Sequence, residues 1–399
     1  MDPTLQNRLF EIGQHLANED LNRAGIRFLD LLHDFDYLPI HRQQALELRK
    51  RYNQAKELGK NKIEDQALVG DFNRFLDSIK ELTVTPYVRE RGLICKAEGI
   101  SKEFRSRLRT FKLNEMTLLL MRGKIVGVVG ENGNGKTTLL RMIAGDLASD
   151  TGFVEYYFNG QPETDWARNK LRIAFVQQRL ERWHGRAYEY LSFMASIKGF
   201  NDVQNKERTE FIVHRLGLTN FAEHTWAQLS SGYRLRFEIA KALIWDPAIL
   251  ILDEPLANLD MQAQELMLHD LRNLADSMRN PVSIILSSQQ LHEVEAVSDQ
   301  IIFLKNGRAV FNGELSEFAK TESLHTFEIN GRFEYQQLQA VFSEWEGLKI
   351  EQSVSAFILT CPEKYTRQDL FNKISSQKLD VEYFRDITGS TKKLFSDKY

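Results

Sequence analysis

Over residues 1 to about 82, apolar side chains recur every three or four positions. They form the sets Leu9, Phe10, Ile12 and Leu16; Ile26, Leu29, Leu31 and Leu32; Leu46, Leu48 and Tyr52; and Leu68, Phe72, Phe75 and Ile79. That period predicts four amphipathic helices, with Asn18 or Asp20 capping the second and Asn61 the fourth. Their stripes must be buried against one another, so a small all-α bundle over 1–88 follows. Thr83 to Gly92 (TVTPYVRERG) mixes Pro86, β-branched and charged residues and reads as a connector.

From residue 93 to about 320 the pattern changes. Short β-branched runs (KIVGVVG, RIAFVQQ, AILILDE, VSIILSS, QIIFLKNG) alternate with helical stretches. Ile249 to Leu252 is apolar at four consecutive positions, as in a strand covered on both faces of a parallel α/β sheet. Between Gln178 and Ser230 the strand signal disappears, which predicts a mostly helical insertion at about 179–240. Residues 324–399 read strand, helix, strand, strand, helix, strand and a final helix. That βαββαβ order is the ferredoxin-like α+β pattern, a superfold that says little about function.

Composition sets limits on function. The 399 residues suggest two or three domains and can bury a sizeable core without disulfide or metal staples. Lys and Arg total 52 against 55 acidic residues, a net charge of -3, so no specific nucleic-acid partner is expected. Two distant cysteines, Cys95 and Cys361, read as reduced residues of a cytoplasmic protein. The first residues lack the pattern of a secretory signal, and no run of 18 apolar residues predicts a bilayer-crossing helix.

The chemistry begins at Gly130-Glu131-Asn132-Gly133-Asn134-Gly135-Lys136-Thr137, which fits G-x-x-x-x-G-K-[ST] between a predicted strand and a predicted helix. Glycines let backbone N–H groups, extending to Thr138, close around phosphate oxygens at a helix N-terminus. Lys136 would reach the β- and γ-phosphates of ATP, and Thr137 would ligate Mg²⁺. A chance glycine-rich turn is the bland alternative, and the strand–loop–helix context weighs against it. The run Ile249–Leu252 ends in Asp253-Glu254-Pro255. At the carboxyl end of an open-sheet strand, Asp253 can hold the Mg²⁺ shell and Glu254 can act as general base toward water. Alone, this acidic pair would read equally well as a solvated turn.

With these two motifs the chain resembles the ATP-binding-cassette (ABC) ATPases, over residues 93 to about 318. The resemblance also rests on Gln178 in IAFVQQ (the glutamine loop, touching Mg²⁺ and water), on Leu229-Ser230-Ser231-Gly232-Tyr233 (the signature, usually LSGGQ), on Asn258-Leu259-Asp260 (the D-loop), and on LSSQQLHEVEAVSDQIIFLKNG (the switch strand). It implies a nucleotide-binding domain at 93–320 whose adenine stacks on Phe104, with Phe111 as the competing choice. It also implies an ATPase in which Ser230, Ser231, Gly232 and Asp260 of one copy meet the nucleotide of a second copy. The expected role is the ATP-hydrolysing subunit of a transporter, at the inner face of the cell membrane beside a separate permease. The 324–399 region is similar to the extension of cassettes that pair with exporter permeases of the ABC-2 type.

Two departures matter. Gln289 stands at the switch position, where histidine is usual. An amide can donate a hydrogen bond but carries no charge, so either slower hydrolysis or two sites held to different roles is expected. His292 as a stand-in is a weaker reading than a surface helix histidine. Ser231 and Tyr233 replace the usual glycine and glutamine of the signature. Two other readings stay open: a soluble ABC ATPase outside transport, and a slow ATP-gated switch whose N-terminal bundle meets a protein or nucleic-acid partner.

Overall fold

The computed structural model describes residues 3–57, 62–84, 92–105, 110–315, 324–352, 356–362, 364–377 and 379–386. The expected Asn61 cap, most of the connector after Thr83 and the final helix lie outside the described residues, as does the side chain of His292. The chain divides into two compact units, Met1–Ala309 and Val310–Tyr399.

The first unit opens with helices α1 (Pro3–Ala17), α2 (Leu21–Asp34), α3 (Pro39–Glu57) and α4 (Lys62–Lys80). Asp20 caps α2 by accepting the Arg23 N–H at 3.0 Å, the exchange an N-cap aspartate makes with a first-turn donor. Ile12, Phe28, Leu29, Leu32, Phe72 and Ile79 form the centre of the bundle. The predicted stripe holds except at Phe10, which is 67% exposed, and Ile26, which is half-buried outside the core; periodicity places a residue next to the core face without saying which neighbour is covered. A charge lies in this interior: Arg49 is 1% exposed, donating to the Asn22 carbonyl at 2.7 Å and the His214 carbonyl at 3.4 Å. Gly25 makes room for it, since a Cβ there would meet the Arg49 Cδ at 2.3 Å.

The α/β part begins with three strands the sequence pattern did not predict, β1 (Leu93–Arg105), β2 (Thr110–Met121) and β4 (Thr151–Tyr156). They form an antiparallel sheet in the order β2-β1-β4. The predicted β-branched runs become β3 (Ile125–Val129), β5 (Ile173–Val176), β6 (Ile249–Leu252), β7 (Ser283–Ser288) and β8 (Gln300–Lys305). These five run parallel in the order β5-β6-β7-β3-β8. Every residue of β3, β6 and β7 is buried, as strands packed on both faces require. Helices α5 (Lys136–Ile143), α6 (Trp166–Arg172), α10 (Met261–Ala275) and α11 (Leu291–Glu295) connect them. The predicted insertion contains α7 (Ala187–Ile197), α8 (Asp202–Arg215) and α9 (Ser231–Ile244). Its aromatics divide: Trp183 is buried, stacked on Tyr190 at 5.2 Å and edge-on to Trp226 at 5.3 Å, while Phe193 is exposed.

The four helices and the α/β part belong to the same compact unit. Asp30 on α2 accepts from Arg215 on α8 at 2.6 Å, and Lys50 on α3 lies 3.1 Å from Glu210. Asp34 accepts the Ser277 hydroxyl at 2.6 Å, and Arg27 lies 2.6 Å from the His269 ring. After β9 (Arg308–Glu314), the second unit contains β10 (Leu324–Gly331), α12 (Tyr335–Val341), β11 (Lys349–Gln352), β12 (Phe357–Pro362), α13 (Arg367–Ser376) and β13 (Val381–Asp386). Its four strands form an antiparallel sheet in the order β11-β12-β10-β13, over a core that includes Phe327, Ile329, Leu359 and Leu370. Both cysteines are free and buried, Cys95 in the α/β part and Cys361 in the second unit. Among the described residues, no helix is long and apolar enough to cross a membrane.

Candidate active site

The site lies beyond the carboxyl ends of the parallel strands, where an open α/β sheet leaves a crevice. The loop from Gly130 joins β3 to α5, with Gly133 (φ 83°) and Gly135 (φ 100°) in the left-handed region that glycine adopts without strain. At Gly135 packing adds a second constraint, because a Cβ would lie 2.9 Å from both Leu113 Cδ1 and Phe111 Cζ. Asn134 is held by accepting the Asn306 N–H at 3.0 Å. Lys136, 5% exposed, turns its ammonium back over the loop and donates to the Gly130 carbonyl at 2.7 Å. Its Nζ also lies 3.0 Å from Glu254 Oε1.

Strand β6 delivers the carboxylates. Asp253 Oδ2 accepts the Thr137 hydroxyl at 2.7 Å, and Oδ1 accepts the Ser287 hydroxyl at 2.7 Å. Glu254 sits at φ 47°, a conformation uncommon outside glycine, and its N–H donates to Ser287 Oγ at 2.9 Å. Two amides converge on its Oε2: Gln178 Nε2 at 2.9 Å and Gln289 Nε2 at 2.8 Å. One carboxylate therefore gathers the phosphate-loop lysine, the glutamine of the β5 loop and the residue at the switch position. Thr137, Asp253 and the Gln178 amide oxygen offer hard oxygen donors of the kind Mg²⁺ takes beside phosphate oxygens.

Three supporting residues were missed from sequence. Ser287 links the Asp253 carboxylate to the Glu254 backbone N–H. Buried Glu293 accepts the Ser288 hydroxyl, and Gln264 donates to Glu293 at 3.1 Å, tying the switch strand to α10. The one legible signal is the pair of serines closing the otherwise apolar run IILSS.

The signature residues begin helix α9, with the Ser230 side chain at its N-cap. Ser231 donates to the Asn258 carbonyl at 2.8 Å, and Asp260 caps α10 by accepting the Ala263 N–H at 2.9 Å. A Cβ on Gly232 would approach Leu259 to 3.2 Å. Tyr233 stacks on Phe221, with centroids 3.6 Å apart. Gln178, Ser231, Asp253, Glu254 and Asn258 line one cleft of about 310 Å³, whereas Ser230, Gly232 and Asp260 open toward a second, of about 740 Å³, shared with α2. Phe104 is 42% exposed and lies 6.5 Å from Phe111, the ring that packs against Gly135. The loop and acidic residues are thus brought together; of the signature, Ser231 lines both clefts, while Ser230 and Gly232 line only the second.

Residues 113–257 match the family model described as ABC transporter. The chain is 29% identical over 224 residues to the ABC transporter ATP-binding protein NatA of Bacillus subtilis, covering 56% of this chain and 90% of that protein. It is 30% identical over 224 residues to the probable sulfate/thiosulfate import ATP-binding protein CysA of Chlorella vulgaris, covering 56% and 92%. The structure of cbiO1 from Clostridium perfringens, part of the cbiONQ transporter complex, superposes with a TM-score of 0.51 at 23% identity, covering 57% of this chain and 91% of that one. Motifs, sheet and relatives agree: the chain belongs to the ABC transporter ATP-binding family.

Proposed function

We propose that the chain binds Mg-ATP on the Gly130–Thr138 loop and hydrolyses it to power a transporter whose permease is a separate chain. The observation that supports this best is the convergence of Lys136, Gln178 and Gln289 on the carboxylate of Glu254, beside the Thr137–Asp253 pair. In this reading the loop N–H groups and Lys136 bind the phosphates, and the exposed ring of Phe104 stacks on adenine. Bound Mg²⁺ would supply charge neutralisation at the phosphates, with Thr137, Asp253 and Gln178 as its protein ligands. Glu254 accepts the proton of the attacking water. Gln178 and Gln289 hold that carboxylate in position, and one of them releases Oε2 as the water takes its place. Ser230, Ser231, Gly232 and Asp260 meet the nucleotide of a second copy. ATP binding thus favours the closed pair, and hydrolysis reverses the preference.

The same reading takes 1–88 as an interaction module, 93–320 as the nucleotide-binding domain and 324–399 as a ferredoxin-like module. The strand order β11-β12-β10-β13 supports the last assignment. Similarity of that module to ABC-2 exporter extensions favours export. The permease would hold this chain at the inner face of the membrane.

The test is Glu254→Gln. Hydrolysis should fall by about 10²- to 10⁴-fold, the range set by losing a general base, while Mg-ATP still binds. Size exclusion in Mg-ATP should show a dimer; a variant that stays monomeric refutes the two-copy sandwich. A slow ATP-gated switch is favoured by one observation, the neutral Gln289 amide bonded to Glu254. If Gln289→His raises the rate severalfold, the position is weakened; if the rate falls, the site is adapted to glutamine.

A further inference from the structure

A second charged cleft lies at the opposite edge of the parallel sheet, where the strands begin. Its floor holds Ala248 and Val282, the residues before β6 and β7, and Arg172, the residue before β5. One wall is the face of α8 that presents Arg208, Phe211 and Arg215 at i, i+3 and i+7. His33 on α2 closes another side, so the bundle, the helical insertion and the sheet edge all contribute. The space measures about 520 Å³.

Its charge is one-sided. Arg122, Arg172, Arg208, Arg215 and Arg279 line it, against the single carboxylate of Asp246. Asp246 is already shared, accepting from Lys198 at 2.9 Å and from Arg208. Asp30, behind the wall, is bound to Arg27 and Arg215. The buried Nε of Arg208 has no acceptor. Two aromatic rings organise the guanidinium groups. Arg172 lies 5.8 Å over Phe158, and Arg122 donates to the Phe158 carbonyl at 2.7 Å; Arg215 lies 6.0 Å over Phe211. A guanidinium stacked on a ring keeps its N–H edge for an anion, and several such forks in a concave site match phosphate oxygens. Burial first, and then the charges of Arg215, Arg279 and Arg42, push the His33 ring down to about 2.

We propose that this cleft binds a small polyanion carrying two or more phosphate groups, at a site separate from the nucleotide loop. Its volume falls in the range of small-molecule sites, roughly 300–1,000 Å³. Single-stranded nucleic acid would need open aromatic faces for base stacking. Here Phe158 is buried and both rings carry guanidinium groups. An occupant would contact all three parts of the wall and stiffen their junction.

The test uses inorganic tripolyphosphate and the full chain in a Lys136→Ala background, which weakens anion binding at the nucleotide loop. Isothermal titration should show saturable binding that declines steeply with salt. Arg172→Ala with Arg279→Ala, both exposed positions, should weaken it by at least about tenfold, the loss expected for two charge-assisted contacts. Circular dichroism and the melting temperature should stay as in the parent. No saturable binding, or binding that the double substitution leaves unchanged, overturns the proposal. So does tighter binding of a single-stranded oligonucleotide than of tripolyphosphate, because the surface would then serve a polymer.

Discussion

The two ends of the β5-β6-β7-β3-β8 sheet are built by different means. At the carboxyl ends, the polar groups come from a few contiguous stretches, Gly130–Thr138, Asp253–Glu254 and Ser287–Gln289, each placed by the strand before it. At the junction with the bundle, side-chain donors meet acceptors 160 to 268 residues away, as in Lys50 with Glu210, Arg49 with the His214 carbonyl, Arg215 with the Asp30 carboxylate and Arg8 with the Asp276 carbonyl. The first end concentrates charge where a substrate would use it. The second neutralises charge to hold three pieces of structure together, and its surplus of arginine lies in one cleft. Substitutions at the first end should therefore change rate and leave stability alone, and substitutions at the junction should do the reverse.

The largest expected effect belongs to the loop. Lys136→Met removes the ammonium that contacts the loop carbonyls and Glu254. Hydrolysis should fall by about 10²- to 10³-fold, the cost of deleting one donor aimed at developing charge. The melting temperature should move less than at the junction, because the largely buried Glu254 carboxylate keeps the Gln178 and Gln289 amides. A Lys136→Met chain that unfolds on purification would break the comparison, since the lysine would then be structural. At the junction, Asp30→Ala removes the carboxylate paired with the largely buried Arg215 and Arg27, leaving Arg27 with Glu11 at 3.3 Å and Asp270 at 3.8 Å. Removing one partner of a buried pair costs roughly 3–5 kcal/mol. Urea unfolding should register that loss, while nucleotide affinity measured on the folded fraction stays within about twofold, as for independent sites. Equal losses in both readouts would mean the two ends are coupled.

The junction should also be the acid-sensitive part. Burial, then the charges of Arg215, Arg279 and Arg42, hold His33 down at about 2; burial, Arg49 and Lys50 hold His214 down at about 4. The unfolded chain protonates both rings near pH 6.5, whereas the folded chain resists. The unfolded state then binds more protons, so stability present above pH 6.5 is lost as pH falls toward 4 for His214 and toward 2 for His33. The slope should approach about 1.4 kcal/mol per pH unit for each ring. Asp30, which burial alone would raise, is held low by the combined charges of Arg215, Arg27 and Arg8 and adds a loss of the same sign below the usual carboxylate range. Denaturant midpoints at pH 7 and pH 5 test this. His33→Leu should flatten the dependence, and an unchanged slope would show that His33 is not its source.

The same contrast explains how much could be read beforehand. The Gly130–Thr137 loop, the placement of Asp253 and Glu254 and the buried strands were legible because their signals are local: glycine spacing, a run of apolar residues, an acid at a strand end. The second unit was legible too, through alternation such as HTFEIN. Strands β1 and β2 were not, because register shifts between Leu93 and Cys95, Ala97 and Ile100, and Ile100 and Lys102 break the two-residue period. Ser287 reads only as a small residue at the end of a buried strand, although it donates to the Asp253 carboxylate and accepts the Glu254 N–H. The junction had no local signal. Buried Arg49 and its companion Gly25 make sense only once α2, α3 and the end of α8 are side by side.

The smallest predicted effect tests a position between the two regimes. Ser231 occupies the place where the family usually has glycine, and its hydroxyl donates to the Asn258 carbonyl of the D-loop. It lies on the signature wall and yet ties two segments together, so it should show a little of both behaviours. Ser231→Gly removes one partly exposed hydrogen bond, with a net value of about 0.5–1.5 kcal/mol. It also places glycine at the first residue of α9, where a helix interior penalty of about 1 kcal/mol is only partly felt. A drop of a few degrees in melting temperature should accompany a change in hydrolysis of less than about tenfold, the equivalent of 1.4 kcal/mol. Ser231→Ala separates the two terms, since it loses the hydroxyl and keeps helix propensity. If Ser231→Ala lowers the rate as far as Ser231→Gly does, the bond to Asn258 is what holds the signature and D-loop in register. If only the glycine variant changes the rate, the backbone at the start of α9 governs, and the hydroxyl belongs with the structural contacts of the junction.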